Sequence, residues 1–399
     1  MKVNQRIKTL LGSTTLAITA KAKELKDQGK DVVNFAAGEP DFDTPEFIKE
    51  AAVAALKKGF TKYTPSTGTI ELRTAISEKF KRDNNLTYTP NQIVVSCGAK
   101  HAIYDLIQVL TDEGDEVIYQ SPYWVSYPEM VKLTGAKSKI IETTAKSGFK
   151  MNVRDIEKAV TKNTRVLILN SPSNPTGVVY SKDELKAIAD VCVKHNIFVI
   201  SDEIYEKLIY SDEGHVSIAS FGKEIYNLTA TVNGVSKAYS MTGWRIGYCA
   251  APQEVIDYVK KFQDHTTSNP TSISQMGALA ALKASEETVT AMREEFRKRR
   301  DVMTACLDEI PEISYVRPGG AFYVFCDISK LKIKSAVFAE RILNDANVAL
   351  IPGDSFGAEG YVRISFATSV ERIKEGIRRI GEWVKKANNL DLTGAAKVV

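Results

Sequence analysis

The sequence predicts an α/β protein built on a mostly parallel sheet, joined to a second, smaller α+β part. Three observations carry this. From residue 93 to about 250, short β-branched runs alternate with turns and amphipathic segments. After about residue 270 the pattern changes to long helices with a few strands between them. The chain of 399 residues also exceeds the roughly 250–300 at which one hydrophobic core usually stops growing.

The expected strands are Ile93 to Ser96, Glu116 to Tyr119, Arg165 to Leu169, Ile197 to Ser201, Leu228 to Val232 and Ile246 to Ala250. Most are continuously apolar, as strands covered on both faces should be. Between two of them, Ser181 followed by Glu184 forms a capping box, with Leu185, Ile188, Ala189 and Cys192 at helical spacing behind it. Thr44 with Pro45 at the first helical position is expected to open another helix, striped by Phe47, Ile48, Ala51, Ala52 and Ala55. Further helices are expected over Ser272 to Ala284, Glu286 to Glu309, Ser335 to Asn344 and Val370 to Ala387, with strands in RPGGAFYVFCDI and YVRISFA. The division expected is residues 45–284 as the larger domain, with 1–44 and 285–399 together as the smaller. The tail DLTGAAKVV is small, polar and uncapped, and is expected to fray.

Composition excludes several classes. Hydrophobic residues make up 44% and charged residues 26%, which suits an ordinary globular protein. Uninterrupted aliphatic stretches such as Val166 to Leu169 fall far short of the roughly 18 residues a membrane span needs. The N-terminal stretch is basic but broken by polar residues, unlike a secretory signal, so a cytoplasmic protein is expected. Cys97, Cys192, Cys249, Cys306 and Cys326 show no CxxC spacing, and the four histidines form no HExxH pair. Hence neither a metal nor a disulfide framework is expected. A net charge of +4 and one mixed cluster, REEFRKRRD, give no nucleic-acid signal.

In parallel sheets ligands bind at the carboxyl ends of the strands, and four polar groups of residues collect there. Cys97, Gly98, Ala99 and Lys100 lead into a helix whose free N–H groups could seat an anion such as phosphate. NSPSNPTG, from Asn170 to Gly177, has a backbone fixed by prolines and presents the Asn174 amide. Asp202, Glu203 and Tyr205 put a carboxylate where a buried strand emerges, although an Asp there could equally be a helix cap. Lys237 and Arg245 lie in NGVSKAYSMTGWRIGY, where desolvation could leave the lysine a neutral nucleophile, although surface lysines are common. Each alone is weak. Together they supply an amine, an acid, an amide and an anion seat, a set suited to an aldehyde cofactor bearing a phosphate.

With VNFAAGEPDF, KYTPSTG, SPYWVSYPEM, SDEIYE and YVRISFA, these strings resemble the class I pyridoxal-phosphate aminotransferases of fold type I, and most of all the bacterial Ib branch of aspartate aminotransferases. The resemblance runs from about Ser13 to Trp383. It implies a large domain with a mostly parallel seven-stranded sheet, a smaller α+β domain closing over the substrate, pyridoxal 5'-phosphate as cofactor and a cytoplasmic homodimer with shared active sites. Lys237 would carry the cofactor as a Schiff base and move the proton. Asp202 would pair with the pyridine nitrogen, Tyr205 and Asn174 with the phenolic oxygen, and Trp124 would stack on the ring. Gly98, Ala99, Ser236 and Arg245 would hold the phosphate, with Tyr63 reaching in from the partner subunit. Arg363 would grip the substrate α-carboxylate, with Gly38, Asn174 and Trp124 completing the pocket. Lys100 would meet a distal carboxylate, which favours aspartate and glutamate over an aromatic or other preference.

Ser13 and Thr15 would lie in a segment that closes over the substrate. Relatives that aminate prephenate tend to carry a basic residue just before that serine. Here it is Gly12, so weak prephenate turnover is expected.

Other classes fit poorly. GDSFG, from Gly353 to Gly357, matches the GxSxG pattern, but a strand rather than a helix is expected after it, and no histidine lies beyond His265. No GxGxxG occurs, which argues against a nicotinamide dehydrogenase. A regulator built on the same fold would need an added DNA-binding domain, for which the first 40 or so residues leave no room.

Overall fold

The computed structural model describes residues 2–211 and 214–389. The C-terminal tail expected to fray lies outside the described residues. In chain order the strands are β1 (Val33–Asn34), β2 (Ile93–Ser96), β3 (Glu116–Ser121), β4 (Lys137–Glu142), β5 (Thr164–Asn170), β6 (Phe198–Asp202), β7 (Thr229–Gly234), β8 (Gly247–Ala250), β9 (Ser314–Tyr315), β10 (Tyr323–Asp327), β11 (Val348–Ala349), β12 (Ile351–Pro352) and β13 (Tyr361–Ser365).

Seven of these form the main sheet in the order β2-β8-β7-β6-β5-β3-β4. Its pairs are parallel except those of β8, which runs antiparallel to both β2 and β7. The expected mostly parallel α/β sheet is therefore present. The central strands are buried along nearly their whole length, and helices cover both faces. One face packs on Ala99–Leu110 through Ala102, Ile103, Leu106 and Ile107. The other packs on Lys182–His195 through Leu185, Ile188, Ala189 and Cys192. Each fully buried aliphatic side chain of this kind contributes about 1.5–3 kcal/mol. The capping box at Ser181 and Glu184 is formed, the serine Oγ accepting from Glu184 N.

Three sequence expectations need correction. The edge strand β4 was not among the expected runs: KSKIIE is lysine-rich and half exposed, which is how a sheet edge avoids pairing with other chains. Thr44 does not cap the helix Glu46–Lys57, whose N-cap is Pro45. Its hydroxyl instead donates to Ser240 O at 2.7 Å and accepts from Trp244 Nε1 at 3.0 Å, fixing this segment to the lysine turn. Of the stripe expected on that helix, Ile48, Ala52 and Ala55 are buried, whereas Phe47 remains exposed.

β1 pairs in parallel with β11 of the C-terminal part, and the helix Val370–Asn389 packs against both, whereas Arg6 and Leu11 bond to Glu113 and Glu129 beside the main sheet. A four-stranded sheet, β12-β13-β10-β9, lies beside them. Its cross-strand partners Phe325 and Arg363 set the guanidinium into the space above the main sheet.

Candidate active site

The carboxyl ends of β5, β6 and β7 stand side by side, Asn170 in register with Asp202 and Asp202 with Val232. They open into a cavity of about 660 Å³. Its lining includes Gly38, Ala99, Lys100, Trp124, Asn174, Asp202, Tyr205, Ser236, Lys237, Arg245 and Arg363. Residues from both ends of the chain and its middle thus converge on one space, and Ser13 and Thr15 lie at its margin. Ser13 also caps the helix Thr14–Asp27, accepting from Leu16 N at 3.3 Å.

Lys237 lies in the turn after β7 and donates to Gly38 O at 2.6 Å. Burial pushes its amine down to about 8. About a tenth of the amine is then neutral at pH 7, far more than for an ordinary lysine, as nucleophilic attack on a carbonyl requires. Asp202 is buried, and burial raises its carboxyl to about 6. Hydrogen bonds from Tyr127 Oη to Oδ2 at 2.6 Å and from Ile204 N to Oδ1 at 3.3 Å oppose that rise. The carboxylate is therefore mostly ionised at neutral pH, and each oxygen keeps a further lone pair.

Gly98 begins the helix Ala99–Leu110 at φ +92° with no side-chain cap, so the helix N–H groups face outward. A Cβ here would stand 2.5 Å from Arg245 Nη2, so only glycine lets the guanidinium lie against the turn. Arg245 is held by Thr242 O at 2.9 Å and Cys97 O at 3.2 Å. A guanidinium beside an uncapped helix N-terminus is a seat for an anion.

Arg363 is 2% exposed and lies with its guanidinium 4.3 Å from the Tyr323 ring centroid. Nη1 donates to Asn174 Oδ1 at 3.0 Å and Nη2 to Ala36 O at 2.8 Å, while the buried Nε has no partner. Burial lowers its proton affinity, yet an arginine keeps its charge. The remaining N–H groups can take a carboxylate. Lys100 lines the same cavity, its Nζ 4.9 Å from the Trp124 ring, and burial followed by the charge of Arg245 lowers its pKa.

Three side chains here were not singled out in the sequence. Tyr127 anchors Asp202, Tyr323 shares a hydrogen bond of 2.9 Å with Tyr205 Oη, and Asn170 ties the strand ends together through Asp202 O and Asn174 N. Tyrosine and asparagine are common at such positions, and only their convergence marks them. Tyr63 is 90% exposed and does not line the cavity of its own chain. Outside the cavity, Glu203, Glu206 and His215 bring ligand-type atoms within 4.8 Å of one another. Glu203 is bonded to His215, Ser201 and Ser217, and Glu206 to Lys79 and Asn84, so these acids are already partnered.

The family model "Aminotransferase class I and II" matches residues 30–380. The chain belongs to that family. It is 49% identical over 391 residues to an aspartate aminotransferase of Bacillus subtilis, covering 97% of this chain and 100% of that one. It is 44% identical over 392 residues to an aspartate/prephenate aminotransferase of Nitrosomonas europaea, covering 95% and 99%. Among solved structures, the aspartate aminotransferase of Thermus thermophilus with maleate superposes with a TM-score of 0.92 at 44% identity, over 96% of this chain and 99% of that one. The fold is thus that of the fold type I aminotransferases, and the protein is a transaminase.

Proposed function

We propose that the protein is an aspartate aminotransferase, reversibly transferring the amino group of L-aspartate to 2-oxoglutarate to give oxaloacetate and L-glutamate, with pyridoxal 5'-phosphate on Lys237. The observation that carries this reading is the convergence, in one cavity, of a lysine near neutrality, a buried acid, an anion seat and a partly unsatisfied arginine. The bound cofactor supplies the carbonyl that takes up the amino group and the ring that withdraws electrons from the substrate Cα.

The residues fit that group. The Gly98 turn would fill with any Cβ, and Ala99, Ser236 and Arg245 stand around it to hold the phosphate. Asp202 would pair with the pyridine nitrogen and keep it protonated, and Tyr127 holds Asp202 in place. Because Asn174 Oδ1 is spent on Arg363, its Nδ2 is left to donate to the phenolic oxygen beside Tyr205. Trp124, which lines the cavity, would stack on the ring. With the cofactor bound, Lys237 Nζ would be the group that moves the proton held at the substrate Cα. Arg363 grips the α-carboxylate, with Gly38 and Asn174 beside it, and Lys100 meets the distal carboxylate, which is the basis for aspartate and glutamate.

The smaller domain, residues 1–44 with 285–399, closes over the larger, residues 45–284; the pairing of β1 with β11 and the bond from Arg363 to Ala36 O support this division. The enzyme works as a homodimer in which the partner subunit supplies Tyr63 to the phosphate. The exposed Phe47, Val53, Leu56 and Ile70 would then be covered. It acts in the cytoplasm on free amino and oxo acids, with neither membrane nor nucleic acid involved. Its five free cysteines suit a reducing compartment. Steady-state assays with L-aspartate, L-tyrosine and L-leucine, each against 2-oxoglutarate, test the preference. Aspartate is expected to give the highest kcat/KM, and a higher value for either rival would overturn the assignment of Lys100.

A further inference from the structure

Behind the anion seat lies a buried acid that the proposed reaction does not use. Asp105, on the helix Ala99–Leu110, has no exposed surface, and neither of its carboxylate oxygens has a well-aligned hydrogen bond. One turn earlier, His101 brings Nε2 to 3.1 Å from Asp105 Oδ1. Burial pushes Asp105 up to about 8 and His101 below its ordinary value, so near neutral pH the pair is mostly a neutral acid facing a neutral ring.

The other face of the ring meets the seat itself. Cys97 N donates to His101 Nδ1 at 3.3 Å, while Cys97 O accepts from Arg245 Nη2 at 3.2 Å. The residue before Gly98 is therefore held at its N–H by an imidazole and at its carbonyl by a guanidinium. Accepting at Nδ1 requires a lone pair there, which puts the ring proton on Nε2, the nitrogen beside Asp105. One tautomer suits both contacts: with the proton on Nε2, Nδ1 accepts from Cys97 N and Nε2–H faces Asp105 Oδ1 at 3.1 Å.

We infer that His101 and Asp105 are positioning residues for the phosphate seat: the Asp105 carboxyl facing Nε2 favours the Nε2–H tautomer, and the Nδ1 lone pair left by that tautomer holds Cys97 N–H, and with it the turn that leads into the Ala99 amide. This rests on the reading that the turn binds the cofactor phosphate.

The test compares cofactor-free protein titrated with pyridoxal phosphate and with pyridoxal, which lacks the phosphate, following the absorbance of the lysine adduct. The ratio of the two dissociation constants isolates the seat from Lys237. His101→Ala is expected to weaken pyridoxal phosphate about tenfold while leaving pyridoxal within about twofold. His101→Asn, whose Oδ1 can replace Nδ1 as acceptor, should recover most of the loss. Asp105→Leu should also lower the phosphate preference, and Asp105→Asn, which keeps an acceptor for Nε2–H, should retain it. Equal weakening of both compounds, or no rescue by asparagine, would overturn the inference. Should His101→Ala fail to fold, the Asp105 pair decides: equal phosphate preference in the leucine and asparagine variants would overturn it. A wild-type protein that captures neither compound would instead overturn the reading of the site, and this inference with it.

Discussion

Replacing Arg363 by lysine probes the substrate seat most sharply, because it keeps the charge and removes the planar fork. A guanidinium has five N–H donors. Two contacts are spent on Asn174 Oδ1 and Ala36 O, and Nε is buried without a partner. The substrate carboxylate is therefore expected to take the remaining N–H of Nη1 and of Nη2 as a pair. A lysine in the same place supplies at most one of these. A hydrogen bond to a charged group is worth about 1.5–3 kcal/mol, so kcat/KM for L-aspartate should fall by about 10- to 150-fold. Affinity for pyridoxal phosphate should stay unchanged, since Arg363 faces the substrate side of the cavity. The assay is steady-state turnover across a range of aspartate concentrations, paired with cofactor titration. A kcat/KM within about threefold of wild type would refute the pairing of Arg363 with the carboxylate.

Other outcomes follow from the same geometry. Gly98→Ala puts a Cβ 2.5 Å from Arg245 Nη2 in a backbone region nearly reserved for glycine, a strain of about 1–3 kcal/mol. Its melting temperature and its affinity for pyridoxal phosphate should both drop, and an unchanged affinity would separate the turn from the anion. Capture of pyridoxal phosphate by the cofactor-free protein should speed up as pH rises through about 8, where Lys237 loses its proton, and then level off. A rate still climbing steeply toward 10.5 would mean an ordinary lysine. Prephenate should be aminated far more slowly than oxaloacetate, because position 12 offers glycine in place of a cation. Comparable rates in a purified-enzyme assay would show that another group recognises that substrate.

Much of the fold was legible in the sequence because β2, β3, β5, β6, β7 and β8 are buried and therefore written in apolar, β-branched residues. Strand β4 escaped because an edge strand is selected for lysine and half exposure, and so carries little of that signal. Thr44 misled for a different reason: its hydroxyl, suited to a helix cap, is spent on Ser240 and Trp244, a contact nearly 200 residues distant. The same limit hid Tyr127 and Tyr323. Nothing local marks either one; Tyr127 matters because β6 ends beside it, and Tyr323 because β10 pairs with β13. Asp202, in contrast, ends β6, Lys237 follows β7 closely and Arg245 leads into the antiparallel β8, and there strand topology alone brings side chains together.

The most direct test of the account is the visible absorption of the pyridoxal-phosphate-loaded protein during titration with L-aspartate, followed by 2-oxoglutarate. The account predicts that the band of the lysine-bound cofactor fades with aspartate and returns with the oxo acid. It also predicts that Lys237→Ala, still folded, shows neither change. A band indifferent to aspartate would contradict the dicarboxylic reading, and full cycling in the alanine variant would contradict the role of Lys237.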